Sequence, residues 1–216
     1  MGTTSRCAVI VGGGPIISPV DVYDLVIAAD SGLDVARAAG LEPNLLVGDL
    51  DSITASGLRW ADDHAIEIQR HPADKDQTDA ALALEQAAAR GAEALTLHGP
   101  AHTDRLDHLL GALIALGAPH MATMERVSAQ FGTTTVHVLH PGRTVNIELP
   151  PNAVFSLLAL HGGCTGVSVQ GARWPLDDAA LQPAETRGIS NQSIGTPVLI
   201  SVATGVLTVI VPEVLS

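Results

Sequence analysis

The sequence predicts an α/β domain with a largely parallel sheet over residues 1–130, followed by a small all-β, sandwich-like domain over residues 131–216. Three observations carry this prediction. The first half alternates short aliphatic runs with Ala- and Leu-rich stretches, the pattern of βαβ units. The second half is a series of short β-rich runs separated by Gly, Pro and Asn. The change of character falls between Met124 and Thr133. Hydrophobic residues fill 46% of 216 positions, which is enough for one sizeable core or two small ones and excludes a disordered or collagen-like chain.

In order along the chain, Cys7–Val11, Leu25–Ala29, Leu45–Val47, Ile66–Gln69 and Ala94–His98 read as strands. Leu33–Ala39 and Ala80–Arg90 read as helices, each reaching a glycine, Gly40 or Gly91, where a helix C-terminus favours one. Leu106–Leu116 continues the helical set. Beyond it, Thr134–Leu139, Thr144–Leu149, Val154–Ala159, Thr165–Gln170, Val198–Ala203 and Val206–Val211 read as strands.

Composition narrows the function. Asp and Glu outnumber Lys and Arg by 23 to 11, giving a formal charge of −12, so no basic stripe is available for a nucleic acid. The aromatic residues are only Tyr23, Trp60, Phe131, Phe155 and Trp174, too few for a base-stacking platform. Trp174, beside Pro175, reads as a core plug of the β domain. Cys7 and Cys164 stand outside any metal-ligand spacing and read as two buried free thiols in a reducing compartment. No signal-peptide core follows Met1, and no apolar run reaches the ~20 residues needed to span a bilayer. The expectation is a cytoplasmic protein with no membrane partner.

Asp30 follows the second strand, Asp49 and Asp51 follow the third, and Asp79 opens a helix; parallel sheets bind ligands outside these strand ends. Asp49 and Asp51 can both reach one hard cation such as Mg²⁺, or they can form an Asx-turn. Lys75 is the only lysine, and it lies in Asp74-Lys75-Asp76-Gln77-Thr78-Asp79, before a helix N-terminus that favours anions. The same run also reads as a capping box with Asp76 as N-cap. Arg105 has the planar fork that suits a phosphate oxygen, and Asp107 can orient a hydroxyl. The known phosphate loops are missing: no Walker sequence exists, and Gly12-Gly13-Gly14 fails the dinucleotide fingerprint at Ile17.

The ordered set Ala29-Asp30-Ser31-Gly32, Gly48-Asp49-Leu50-Asp51-Ser52-Ile53, Lys75-Asp76-Gln77-Thr78-Asp79 and Arg105-Leu106-Asp107-His108 resembles the thiamine pyrophosphokinase family. Gly171-Ala172-Arg173-Trp174-Pro175-Leu176 and Gly188-Ile189-Ser190-Asn191 are similar to that family's C-terminal vitamin-binding domain. The resemblance spans nearly the whole chain. It implies transfer of the pyrophosphoryl group of ATP to the hydroxyethyl oxygen of thiamine, giving thiamine diphosphate and AMP. A related pyrophosphokinase for another alcohol, such as a pterin, and a non-catalytic nucleotide- or vitamin-binding module are the alternatives.

By motif position the resemblance implies that Asp49, Asp51 and Asp79 hold Mg²⁺. Asp30, Ser31, Lys75, Gln77 and Thr78 would bind ATP or its phosphates, and Arg105 and Asp107 would join the carboxylates in catalysis. Asp107, Ser190 and Asn191 would bind thiamine. It further implies a homodimer with the active site at its interface. Two departures from the family pattern stand out: Thr103-Asp104 occupy positions usually held by glycines, and Thr196–Val211 contains no aromatic residue to stack on thiamine, so that either another residue covers the ring, for which Trp174 could serve instead of plugging the core, or thiamine binds more weakly.

Overall fold

The computed structural model describes residues 4–16 and 21–212. It divides into two units: the first runs to Met124 and includes Ala129–Thr133, and the second comprises Glu125–Ser128 and the residues from Thr134 onward. The first unit contains β1 (Arg6–Val11), β2 (Leu25–Ala29), α1 (Gly32–Ala38), β3 (Leu45–Gly48), α2 (Ala55–Asp63), β4 (Glu67–Arg70), α3 (Asp79–Ala89), β5 (Ala94–Gly99) and α4 (Leu106–Leu116). Its strands stand in the order β5-β1-β2-β3-β4, and each of these pairs is parallel. A strand buried on both faces needs a continuous aliphatic run, which is why Cys7–Ile10, Val26–Ala29 and Leu45–Val47 show no polar alternation. On one layer, Ala8, Ile10 and Val26 pack with Ala36 of α1, while Ala28 and Leu46 meet Leu33 of α1 and Ala61 of α2. Helix α3 buries Leu82, Ala83, Leu84 and Ala87 and packs along β1, β2 and β3.

Register positions the functional loops. Val11 pairs with Ala29, and Ala29 with Val47, so the three strands end in one row. Gly12, Asp30 and Asp49 therefore leave the sheet at the same edge. The strand order reverses between β1 and β5, and the loops after these two strands open the kind of crevice in which α/β sheets bind ligands.

The strand β6 (Arg126–Phe131) lies in the segment where the chain passes between the two units. The second unit then contains β7 (Thr134–Leu139), β8 (Thr144–Ile147), β9 (Val154–Leu158), β10 (Cys164–Gln170), β11 (Leu176–Leu181), β12 (Asn191–Gln192), β13 (Val198–Ser201) and β14 (Leu207–Val211). Two antiparallel layers form, β12-β9-β14-β7 and β11-β10-β13-β8. Between them lies an apolar core of Phe155, Leu157, Val167, Val169, Val198, Ile200, Leu207 and Val209, among others. The molecule is thus a helix-flanked sheet unit and an all-β unit.

Several local features differ from the sequence expectation. Helix α2 was not expected, because its Ser56 and Gly57 weaken the helical signal; Thr54 starts it by accepting a hydrogen bond from the Gly57 amide at 3.0 Å. The strands β6, β11 and β12 were also not expected: β11 carries Asp177 and Asp178 on an exposed edge, and β12 is only two residues long. The cap of α3 is Thr78, whose hydroxyl accepts from Ala81 N, and not Asp76. Trp174 is not a core plug, since it is 52% exposed; Phe155 fills the interior instead. Both cysteines are buried and free. Among the described residues no helix is long and apolar enough to cross a membrane.

Candidate active site

At the strand edge of the first unit, Asp30, Asp49 and Asp79 each offer a carboxylate oxygen, and these atoms lie within 4.8 Å of one another. Three devices bring them together. Asp30 at the end of β2 and Leu50 between the two loop aspartates both take left-handed conformations, with φ of 49° and 69°, which cost energy for residues other than glycine and concentrate at functional sites. Gly48, at φ 149°, leaves room that a side chain would take, because a Cβ there would lie 3.1 Å from Asp79 Oδ1 and 3.2 Å from Asp30 Cβ. The Thr78 cap fixes Asp79 in the first turn of α3.

The one lysine bridges two members of the cluster. Lys75 Nζ lies 3.3 Å from Asp49 Oδ2 and 3.2 Å from Asp79 Oδ1, with its side chain only 14% exposed. Burial works against the charged lysine, but Asp79 and Asp49 outweigh it and hold the ammonium above its ordinary pKa. Asp49 Oδ1 accepts a hydrogen bond from Asp51 N at 3.1 Å, so the Asx-turn and the cluster coexist in one residue. That backbone bond first, and Lys75 after it, lower the Asp49 carboxyl. Asp51 stands exposed at the rim, its pKa raised chiefly by the charge of Asp49, with burial, Asp30 and Asp79 adding to it. Asp30 Oδ1 and Asp79 Oδ1 are buried without a hydrogen-bond partner, the Asp79 atom having only the ion contact with Lys75. Unpartnered buried carboxylate oxygens beside a third carboxylate fit a hard divalent cation, which prefers oxygen ligands. The converging group includes Asp30, whereas the sequence reading put Asp51 in that place.

A cleft of about 440 Å³ opens beside this cluster. Of the residues expected at the site, Asp30, Ser31, Lys75, Gln77, Thr78, Asp79 and Arg105 line it; Asp49, Asp51 and Asp107 do not. Gly12 backs onto Ser31 so closely that a Cβ would lie 2.0 Å from the serine Oγ. Gln77 donates its side-chain amide to Glu85, one route by which the loop before α3 is fixed. Arg105 donates from Nε to Asp107 Oδ1 at 3.0 Å and from Nη2 to Asp107 Oδ2 at 2.8 Å, a fork-to-carboxylate pair on the surface. Hydrogen bonding from Arg105 is the first cause that holds the Asp107 carboxyl down at about 2. The amide of Arg105 donates to Thr103 Oγ1 at 2.9 Å, so one of the residues replacing the family's glycines itself shapes this turn.

Ser52 and Phe131 line the cleft and were not expected as site residues. Ser52 donates its hydroxyl to Asp30 Oδ2, and its place directly after Asp51 was the available signal. Phe131, packed against Gly99, is the cleft's aromatic residue; an isolated Phe at a strand end carries no sequence signal. In the second unit, Ser190 is exposed with φ 61°, and Asn191 is buried, its carboxamide bonded to the backbone of Trp174.

Three convergent carboxylates, one lysine and one arginine beside a cleft at a parallel-sheet edge are the equipment of a phosphate-transferring enzyme. A model of the thiamin pyrophosphokinase catalytic domain matches residues 20–127, and one of the thiamin pyrophosphokinase vitamin B1 binding domain matches residues 142–207. The chain belongs to the thiamin pyrophosphokinase family and is accordingly a transferase that acts on thiamine with ATP. Thiamine pyrophosphokinase of Bacillus subtilis (strain 168) is 28% identical over 210 residues, covering 93% of this chain and 96% of the relative. A crystal structure of the Bacillus subtilis thiamine pyrophosphokinase has a TM-score of 0.80 at 25% identity, covering 97% of this chain and 100% of that one. A thiamin pyrophosphokinase family protein from Enterococcus faecalis gives 0.81 at 25% identity, covering 98% and 100%.

Proposed function

We propose that the first unit carries out the chemistry at the Asp30–Asp49–Asp79 cluster, and that residues 131–216 hold thiamine while residues 1–130 hold ATP. The convergence of three carboxylates within 4.8 Å beside the cleft is the observation that carries this reading. Asp30, Asp49 and Asp79 would hold Mg²⁺, with Asp51 reaching it from the rim. When bound, the ion neutralises charge on the phosphate oxygens.

The chain's own residues supply positioning and the remaining charge. The hydroxyethyl oxygen of thiamine forms a bond to the β-phosphorus of ATP as the bond from that phosphorus to the α-phosphate oxygen breaks. AMP leaves with the electron pair, and the hydroxyl proton passes to solvent water. Such transfers gain more from in-line orientation and fixed charges than from covalent help. Lys75 and Arg105 contact phosphate oxygens, Arg105 through its planar fork. Ser31, Gln77 and Thr78 border the phosphates, where the amides at the start of α3 favour anions. Asp107, whose carboxyl the Arg105 fork holds well below the usual carboxylate range, orients Arg105 and the thiamine end. Ser190 and Asn191 serve the thiamine end from the second domain.

Leu106, Leu110 and Ile114 repeat along one face of α4 and are 62%, 47% and 61% exposed, a stripe that supports assembly as a homodimer. The two buried free thiols support a cytoplasmic location. A coupled assay for AMP from ATP and Mg²⁺ tests the activity. AMP is expected with thiamine and not without an acceptor or with a pterin alcohol. AMP formed only from the pterin would reassign the second domain.

A further inference from the structure

The Arg105 side chain is long and 62% exposed, so neighbours have to hold it in place or its ordering is charged against every ligand it meets. Asp107 takes its Nε and Nη2, and His108 Nε2 meets the same Nη2. Nη1 lies outside these pairs and is the end that remains for a phosphate oxygen. The backbone needs a restraint of its own. Arg105 holds the N-cap place of α4 and makes no side-chain cap bond there, since a guanidinium has no acceptor to offer. Two residues earlier, Thr103 Oγ1 accepts from Arg105 N at 2.9 Å, and Thr103 lines the cleft together with Arg105, His108 and Leu109.

Thr103 stands where the family usually has a glycine, and the exchange has a physical consequence. Glycine would give this segment the widest conformational freedom and no side-chain acceptor for the Arg105 amide. A β-branched threonine narrows the backbone and χ1 and supplies the acceptor. The same bond occupies the Arg105 amide, so an anion at this helix start meets the guanidinium and not that N–H.

We propose that Thr103 is a positioning residue for Arg105: its hydroxyl fixes the turn from which the guanidinium reaches the phosphates of ATP. The proposal rests on the reading of Arg105 as a phosphate contact. It gives a function to a departure from the family pattern, because the residue that replaces a glycine restores order to the loop by its own hydrogen bond.

Titration calorimetry of the full chain with ATP at fixed Mg²⁺ and without thiamine, together with steady-state kinetics, tests this. Thr103→Val keeps the branched shape and removes the acceptor. It is expected to weaken ATP binding and raise the ATP KM about five-fold, the scale of one hydrogen bond, with the thiamine KM unchanged. Thr103→Ser keeps the acceptor and should restore most of the affinity. In an Arg105→Ala background, Thr103→Val should cost nothing further, as expected for two residues acting as one unit. Wild-type ATP affinity in Thr103→Val, an equal loss in Thr103→Ser, or a full additional loss in the Arg105→Ala background overturns the proposal and leaves the phosphate role of Arg105 standing. Unchanged ATP affinity in Arg105→Ala overturns both.

Discussion

Replacing Lys75 with Met keeps the length and much of the volume of the side chain and removes only its charge. In the metal-free protein this leaves Asp30, Asp49 and Asp79 crowded without their cation. A charge pair at about 3.3 Å in a partly buried setting attracts by roughly 5 kcal/mol at an effective dielectric near 20, before desolvation and side-chain ordering are subtracted. The net worth of such a contact is about 1 kcal/mol, so the two contacts at 3.3 and 3.2 Å together stabilise by about 2 kcal/mol. For a chain of this size that corresponds to a Tm lower by roughly 4–8 °C, measured by calorimetry in chelator. Added Mg²⁺ supplies the missing charge, so the Tm rise on adding Mg²⁺ should be larger in Lys75→Met than in the wild type. An unchanged Tm in chelator, together with equal Mg²⁺ responses, would refute the placement of the ammonium between these carboxylates.

Asp51→Asn should lower kcat by about two orders of magnitude or more with the fold intact by circular dichroism; near-normal turnover at saturating Mg²⁺ would remove Asp51 from the site. Gly48→Ala places a methyl against Asp79 and Asp30 at φ 149°, and should destabilise by about 1–3 kcal/mol in denaturant titration and weaken the Mg²⁺ response. Burial pushes the Cys7 thiol up to about 12 and also raises Cys164, so at pH 8 neither should react with a thiol reagent until the protein is unfolded; rapid native labelling would contradict the packing of β1 and β10.

The strands buried on both faces were readable from sequence because Val9, Ile27 and Leu45 sit in unbroken aliphatic runs. The acidic loops were readable from their place after those runs. Features that depend on a partner distant in sequence were not. Thr54 begins α2 partly because Asp34, twenty residues earlier, accepts from both its amide and its hydroxyl, and no local pattern announces that. The choice of Thr78 over Asp76 as cap turned on a single hydrogen bond to Ala81. Whether Asp30 or Asp51 joins the other two carboxylates is decided by two left-handed residues, and propensity gives no hint that Asp30 and Leu50 adopt that backbone. The Trp174 backbone is likewise held by the buried amide of Asn191, seventeen residues further on.

The carboxylates that converge at the sheet edge come from the ends of two different strands and from the first turn of a helix. A slip of one residue in β2 or β3 would carry an aspartate about 3.3 Å along the sheet and turn it to the opposite face. An unfolded chain therefore has no weaker version of this site to offer a divalent ion. The ion's full binding energy is then coupled to the folding of the first unit, amounting to about 2.7 kcal/mol at a concentration one hundred times its dissociation constant. On the proposed assignment of Mg²⁺ to this cluster, the ion's concentration would bear on the stability of the first unit as well as on its rate.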